Sequence, residues 1–96
     1  MKIIIRPHLK LRLKQREIPQ NYPRMILDKP GDKYYDNQTD HLIAIKPLKY
    51  YGKTRPMVAA YDIIGENIQV ITVHPTSEKE IKNRVKNGRW IKNEKN

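Results

Sequence analysis

Three side chains that could bind or cleave a phosphodiester recur every four residues near the start of the chain. They are His8, Arg12 and Arg16. In a helix this spacing places side chains on one slowly rotating stripe. Cations along such a stripe repel one another slightly. An anion bound against the stripe would offset this repulsion, so the spacing suits an anion-binding surface. A solvated basic face with an arginine paired to Glu17 or Asp28 explains the spacing equally well.

A hydroxyl and an imidazole form a second candidate group. Thr72 and His74 are two residues apart on a predicted strand, so their side chains share one face, together with Ile68 and Val70. A helix beginning at Ser77 would bring free backbone N–H groups and a positive dipole end close to them. Taken singly, His74 also fits a turn histidine beside a proline, and Thr72 fits an ordinary β-branched strand residue.

A third group interleaves basic and aromatic residues in the predicted connection between two strands. Its members are Lys46, Lys49, Tyr50, Tyr51, Lys53 and Arg55. Cations bind backbone phosphates and aromatic rings stack on unpaired bases, although a merely soluble loop has a similar composition. Further positive charge comes from Arg84, Lys86 and Arg89.

The charge balance favours a polyanionic partner. Twenty Lys and Arg against ten Asp and Glu give a formal net charge of +10 over 96 residues. Such a chain attracts nucleic acid by counterion release and long-range steering. Lys-rich surfaces also occur in heat-stable and highly soluble proteins, but there the acids keep pace with the bases. RNA cleavage without a metal needs proton-transferring groups and cations for the phosphorane charge, and His, Arg, Lys and Thr can supply them.

Several other classes of function lack their residues. The chain has no cysteine and three scattered histidines, so we expect no disulfide, no metal and no cofactor. It has no Gly-rich phosphate loop, no HExxH and no nucleophile elbow. The apolar stretch near the start, residues 3–5, is flanked by Lys2 and Arg6, so we expect neither a signal peptide nor a membrane span. The prediction is a soluble cytoplasmic protein.

The segment that carries the first stripe is ambiguous between helix and strand. Leu9, Leu11 and Leu13 alternate with polar residues as in a strand, but Leu9 and Leu13 also have helical spacing. We predict a helix over 7–16 because Pro7 suits a first helical turn, the residues are good helix formers and none is β-branched.

Two further helices and four strands are predicted to position the candidate residues. A short second helix spans about 19–27, with Pro23 required to lie in its first turn. A third helix begins at the capping box Ser77-x-x-Glu80 and ends before Gly88. Turn signals and apolar runs place strands at 33–37, 41–48, 56–64 and 67–73. The last two strands form a hairpin, the second and third are joined by a long loop over 49–55, and the apolar runs predict central strands.

The order of these motifs resembles a small family of prokaryotic and phage domains. That family is grouped with the BrnT and RelE toxins in the barnase–EndoU–colicin–RelE ribonuclease superfamily. The resemblance covers most of the chain from His8 to Trp90 and is carried by short motifs: His8-x3-Arg12-x3-Arg16-x-Ile18, Tyr35-Asp36, and Val70-Ile71-Thr72-Val73-His74-Pro75. Two departures are Glu17, where relatives often have a small turn residue, and the long 49–55 loop.

The resemblance implies a RelE-like α+β fold and a metal-independent, toxin-type endoribonuclease. Two N-terminal helices would precede a four-stranded, mainly antiparallel sheet and a C-terminal helix in a single domain, 1–91, followed by a basic tail, 92–96. Trp90 and Ile91 would fold back as an apolar anchor. The implied partners are RNA and an acidic antitoxin, with the oligomeric state open. The alternative is a nucleic-acid-binding module without catalysis that uses the same basic face.

Residue roles follow from the resemblance and from charge. The resemblance implies His8, Arg12 and Thr72 as catalytic residues, with Arg16 beside them. Charge and position alone add Lys46 and Arg55. The whole expected nucleic-acid-binding set is Arg16, Lys46, Tyr50, Tyr51, Lys53, Arg55, His74, Arg84 and Arg89.

Overall fold

The protein is an α+β domain, which confirms the predicted class. The computed structural model describes residues 2–93, and within that range there are three helices and a six-stranded mixed sheet. The elements, in chain order, are β1 (Lys2–Ile4), α1 (Pro7–Gln15), α2 (Tyr22–Asp28), β2 (Asp32–Asp36), β3 (Leu42–Tyr50), β4 (Lys53–Ile64), β5 (Asn67–Pro75), α3 (Glu78–Lys86) and β6 (Trp90–Lys92). The strand order is β1-β5-β4-β3-β2-β6.

The predicted number of strands is wrong, because the described part of the sheet has six and not four. The two extra strands are the three-residue edge strands β1 and β6. Strands this short carry no readable alternation, so their pairing depends on the neighbouring strand. β1 runs parallel to β5 from Lys2↔Asn67 to Ile4↔Gln69, and this pairing makes the sheet mixed. β6 pairs antiparallel with β2.

The ambiguous leucine-rich segment is a helix, as predicted. Leu9 and Leu13 are buried, whereas Leu11 is 54% exposed, which is the pattern of a helix lying on a sheet and not of a strand with all three leucines on one side. Pro7 occupies the first turn of α1. This position suits proline because the missing N–H would have no partner there.

α1 ends in a Schellman motif built around Glu17. The N–H of Ile18 donates to the carbonyl of Leu13 at 2.9 Å, and the N–H of Glu17 donates to the carbonyl of Lys14 at 3.1 Å. Glu17 therefore adopts a φ of 57°, in the left-handed region that favours glycine. This position explains why a small turn residue would be the ordinary choice there.

The signals for the other two helices are largely correct. α2 begins at Tyr22 and not near residue 19, although Pro23 does lie in its first turn. The Ser77 hydroxyl caps α3 by accepting the N–H of Glu80 at 3.1 Å, as the capping box predicts. Gly88 follows α3 with a φ of 82°, as expected for a glycine that ends a helix.

Each face of the sheet carries its own apolar cluster. On the first face, α1 and α2 pack on the sheet, with Leu13, Ile26, Met57 and Val73 fully buried between them. On the second face, Trp90 and Tyr34 stack with ring centroids 5.5 Å apart over residues of β3 and β4, and Ile81 of α3 packs against them. β3 and β4 are thus the central strands, as their apolar runs predict.

The predicted long loop over 49–55 is wrong. β3 and β4 stay paired out to Tyr50↔Lys53 and are joined by the two-residue turn Tyr51-Gly52. Both turn residues have positive φ, 51° and 74°, as a tight hairpin turn requires. Beyond Ile45 and Met57 neither β2 nor β5 pairs with these strands, so residues 46–56 form a two-stranded projection, called here the ribbon. Prolines are tolerated there because the outer N–H groups need no partner.

The boundary between domain and tail also shifts. β6 continues to Lys92, one residue past the predicted end of the domain, and the Lys92 Nζ lies 2.8 Å from the Asp32 Oδ1. Residues 94–96 of the predicted tail lie outside the described residues. Trp90 is buried as predicted, but Ile91 is 50% exposed. None of the described helices is long and apolar enough to cross a membrane.

Candidate nucleic-acid interface

Basic residues of β3 and β4 lie together on one side of the ribbon. Along β3 this side carries Lys46, Leu48 and Tyr50, and the residues opposite them on β4 include Arg55 and Lys53. Leu48 and Tyr50 pack against the first-face cluster, so this side of the ribbon turns towards α1 and α2. The name ribbon face is used below for Lys46, Tyr50, Lys53 and Arg55; the backbone carbonyl of Arg16 contacts this face at Tyr50.

Tyrosine hydroxyls fasten the ribbon to the two helices. The Tyr50 hydroxyl donates to the carbonyl of Arg16, the residue that follows α1, at 2.6 Å. The Tyr22 hydroxyl, at the start of α2, donates to the carbonyl of Lys49 at 2.6 Å. The first bond holds the end of α1 against the ribbon, although Arg16 and Tyr50 are 34 residues apart, and the second bond holds α2 there.

An exposed aromatic ring lies at the tip of the ribbon. Tyr51 is 63% exposed, and its ring meets the Tyr50 ring edge-on with centroids 4.5 Å apart. The Tyr51 hydroxyl donates to a carboxylate oxygen of Glu17. This hydrogen bond raises the pKa of Tyr51 from 10 to about 12. One end of the ring is therefore held while its face stays open to a stacking base.

The ribbon face has more cations than its own carboxylates can neutralise. Three cationic side chains, Lys46, Lys53 and Arg55, lie there beside one carboxylate, Glu17, which already accepts the Tyr51 hydroxyl. The Lys46 Nζ donates to the carbonyl of Lys29, at the end of α2, at 2.9 Å. A carbonyl at a helix end carries a partial negative charge but does not cancel an ammonium. The surface therefore keeps a positive potential that favours phosphate.

Arg16 also connects α1 with β5. Its Nη1 donates to the carbonyl of Val73 at 3.0 Å and reaches the Thr72 Oγ1 at 3.4 Å. β1 pairs with β5 only as far as Gln69, so the later edge of β5 lacks a strand partner among the described residues. The guanidinium donates a hydrogen bond to the Val73 carbonyl, which would otherwise have no partner at this edge of the sheet. The Arg16 side chain thus has a structural contact at the edge of β5, while its backbone carbonyl contacts the ribbon.

The rest of the predicted α1 stripe is solvent-exposed. His8 and Arg12 have no hydrogen-bond or ion-pair partner among residues 2–93. They project from the same side of α1 as Arg16: Arg12 lies one turn earlier and His8 two turns earlier. Nothing in the described chain orients the imidazole of His8.

Thr72 and His74 share a face, as predicted, but not with Ile68 and Val70. Ile71 is a bulge residue, because Ala60 pairs with Thr72 while the next residue, Tyr61, pairs with Val70. The extra residue turns Val70 into the first-face cluster, whereas Thr72 and His74 lie opposite residues of the second-face cluster. The predicted catalytic residues thus lie on both faces of the sheet: His8 and Arg12 are on α1, which packs on the first face, and Thr72 is on the second. Arg16 contacts Thr72 at the edge of β5. The His74 Nδ1 is 3.0 Å from the carbonyl of Pro75.

The two arginines near the end of the chain are both engaged within the second face. The Arg84 Nη2 lies 2.9 Å from the Glu80 Oε1, and its guanidinium carbon is 5.3 Å from the centre of the Trp90 ring. Arg89 forms an ion pair with Asp36, which is 3% exposed. These contacts anchor α3 and β6 to the sheet.

Sequence reasoning missed the Asp36 anchor and a histidine–aspartate pair. The His41 Nδ1 donates to the Asp62 Oδ1 at 2.7 Å, at the end of β3 and β4 remote from the ribbon. The nine residues of β3 separate His41 from the tip of the ribbon at Tyr51, a distance on the order of 30 Å. The pair is set by strand register, which local sequence does not reveal. Among the described residues no three His, Cys, Asp or Glu side chains are grouped so as to hold a metal ion.

Comparison with known proteins gives no match: no family model, no curated protein and no solved structure matches the chain.

Proposed function

We propose that this protein binds single-stranded RNA through the ribbon face. The observation that carries the proposal is the presence of Lys46, Lys53 and Arg55 on one side of the ribbon, next to the exposed Tyr51 ring. Single-stranded nucleic acid is bound by cations that follow the phosphates and by aromatic rings on which bases stack. The formal net charge of +10 adds long-range attraction for any polyanion.

The cation count sets the expected salt dependence of binding. If three or four phosphates are neutralised, log Kobs should fall with log salt at a slope of about −2 to −3, since single strands contribute roughly −0.7 per contact. If net charge alone caused the binding, RNA affinity would depend on the number of charges and not on their positions in the structure.

Two charge-matched double variants test the location. The ribbon variant carries Lys46→Gln and Lys53→Gln, and the control variant carries Lys79→Gln and Lys82→Gln on α3, which packs on the other face of the sheet. Binding of a labelled single-stranded RNA is measured by fluorescence anisotropy at several salt concentrations. The proposal expects a shallower slope and weaker affinity for the ribbon variant alone. Equal losses in the two variants would refute it.

A second candidate, metal-independent RNA cleavage, is favoured by one contact. The approach of Arg16 to Thr72 joins α1 to β5, the two elements in which the RelE-like resemblance locates catalysis. In this hypothesis His8 transfers the proton, Arg12 and Arg16 stabilise the phosphate charge, and an acidic antitoxin covers the basic surface.

The cleavage assay compares wild type with His8→Ala on labelled RNA in EDTA. Cleavage to cyclic-phosphate ends that is lost in the variant supports the ribonuclease. Absence of cleavage by both proteins, with salt-sensitive binding retained, leaves the protein as an RNA-binding module.

A further inference from the structure

One buried polar atom of the described chain has no hydrogen-bond partner, and it belongs to the ribbon face. The Nε of Arg55 is enclosed, and it is the one buried side-chain nitrogen or oxygen in residues 2–93 that is left unpaired. The two Nη atoms of the same guanidinium form no hydrogen bond or ion pair within that range either. They are not among the enclosed atoms, so they reach solvent.

The neighbours of Arg55 do not neutralise it. Leu48 lies directly opposite on β3, and the diagonal neighbours on the same face are Lys46 and Tyr50, at about 7–8 Å by strand geometry. Lys46 is itself a cation. Glu17, the carboxylate that contacts the tip of the ribbon, accepts the Tyr51 hydroxyl and forms no ion pair with Arg55. Among the described residues Arg55 is thus a partly buried cation without a counter-ion.

An arrangement of this kind works against folding. A buried donor that loses water and gains no partner destabilises the native state, and so does an unpaired charge. Buried polar groups in folded proteins are otherwise nearly always paired, and the exceptions call for a specific cause. A methionine would fill the same space along the apolar stem without either penalty.

We propose that Arg55 is an oxyanion-binding residue that receives a phosphodiester group, a role that rests on the RNA-binding function proposed above. A guanidinium presents Nε–H and Nη–H as a planar fork that matches two oxygens of a phosphate. A small displacement of the side chain towards solvent would bring Nε–H into that fork beside the already accessible Nη groups. The ligand then supplies both the missing hydrogen bonds and the missing negative charge.

The test compares Arg55→Met with Lys82→Met, which removes the same charge from an exposed position on α3. Two quantities are measured for wild type and each variant. One is the shift of the thermal midpoint on replacing chloride by low-millimolar sulfate at constant ionic strength, and the other is the salt slope of single-stranded RNA binding. Comparison between variants removes the general effect of sulfate on protein surfaces.

The proposal expects sulfate to raise the midpoint of wild type and of Lys82→Met but not that of Arg55→Met. In chloride, Arg55→Met should melt at the same temperature as wild type or higher. Its RNA-binding slope should be shallower by about 0.7, the contribution of one phosphate contact on a single strand, and Lys82→Met should keep the full slope. Arg55→Lys, which keeps the charge but loses the fork, should give an intermediate sulfate shift.

The outcomes separate this site from the function on which it rests. RNA binding with equal slopes in Arg55→Met and Lys82→Met would overturn the anion site and leave RNA binding intact. A sulfate shift lost only in Arg55→Met, without RNA binding by wild type, would retain the anion site and overturn the RNA function. An Arg55→Met protein that is less stable or fails to fold would show that Arg55 stabilises the chain, which contradicts the proposal.

Discussion

Replacing Asp36 by asparagine should remove the most heavily bonded carboxylate of the second face. The Arg89 Nε donates to both of its oxygens at 3.1 Å, and the Trp90 Nε1 donates to Oδ2 at 3.2 Å. The N–H groups of Gln38 and Thr39 donate to Oδ1 at 2.9 and 3.3 Å. One side chain thus joins β2, the following turn and β6.

The pKa of Asp36 sets the size of the effect. Burial alone would raise this pKa, but hydrogen bonds from Arg89, from the Gln38 N–H and from Trp90 outweigh it and lower the pKa from 3.8 to about 2. That difference corresponds to about 2 kcal/mol, because one pH unit is worth about 1.4 kcal/mol. Breaking a fully buried ion pair costs about 3–5 kcal/mol, but the Arg89 side chain is 28% exposed, so we expect a loss of about 2–3 kcal/mol.

Urea denaturation followed by far-UV circular dichroism and by Trp90 fluorescence measures this loss. A domain of this size should melt roughly 10–20 °C lower at such a loss. Asp32→Asn is the matched control, because it breaks the exposed ion pair with Lys92, whose side chains are 54% and 50% exposed, and should cost less than about 1 kcal/mol.

The pH dependence gives a second check. Because the folded state lowers the pKa of Asp36, its stabilisation is present above the unfolded value of 3.8 and is lost as the pH falls through about 2. The difference between wild type and Asp36→Asn should be constant above about pH 5 and should shrink between pH 4 and 2. A loss below about 0.5 kcal/mol at pH 7, or a difference that grows in acid, would refute the reasoning.

Three further predictions separate structural from binding roles. Ser77→Ala should lower the free energy of unfolding by about 1 kcal/mol, because it removes the cap of α3, and should leave RNA affinity unchanged; an affinity loss would place α3 in the interface. Glu17→Gln should lower the pKa of Tyr51 from about 12 towards 10, seen as one phenol that ionises earlier in an alkaline ultraviolet titration; an unchanged titration would show that the carboxylate does not hold that hydroxyl. Tyr51→Ala should weaken single-stranded RNA binding by about 1–3 kcal/mol while Tyr51→Phe retains it, and similar affinity in all three proteins would exclude base stacking at the tip.

Local signals in the sequence predict the helices well. The capping box at Ser77, the proline at the start of α1 and the glycine after α3 each act within one turn of chain, so neighbouring residues suffice to recognise them. The central strands β3 and β4 were also recognisable, because strands covered on both faces are continuously apolar.

The missed features depend on pairing between distant residues. β1 and β6 are too short to show a period, and the bulge at Ile71 reverses the face of Val70 without leaving a mark in the alternation. The charged and aromatic composition of 49–55 resembles a loop, but the register of β3 with β4 makes it a ribbon. The basic residues of the interface were predictable from charge. Their proximity to the end of α1 depends on the hydrogen bond from the Tyr50 hydroxyl to the Arg16 carbonyl, which only the fold reveals.

The most direct test of the central claim is to titrate the ¹⁵N-labelled protein with a short single-stranded RNA and follow each backbone amide by NMR. RNA binding at the ribbon face predicts shifts concentrated in residues 46–56 and around Arg16, with α3 and the His41–Asp62 end of the sheet unchanged. Shifts centred on α3, or no shifts at RNA concentrations that saturate a micromolar site, would contradict the account.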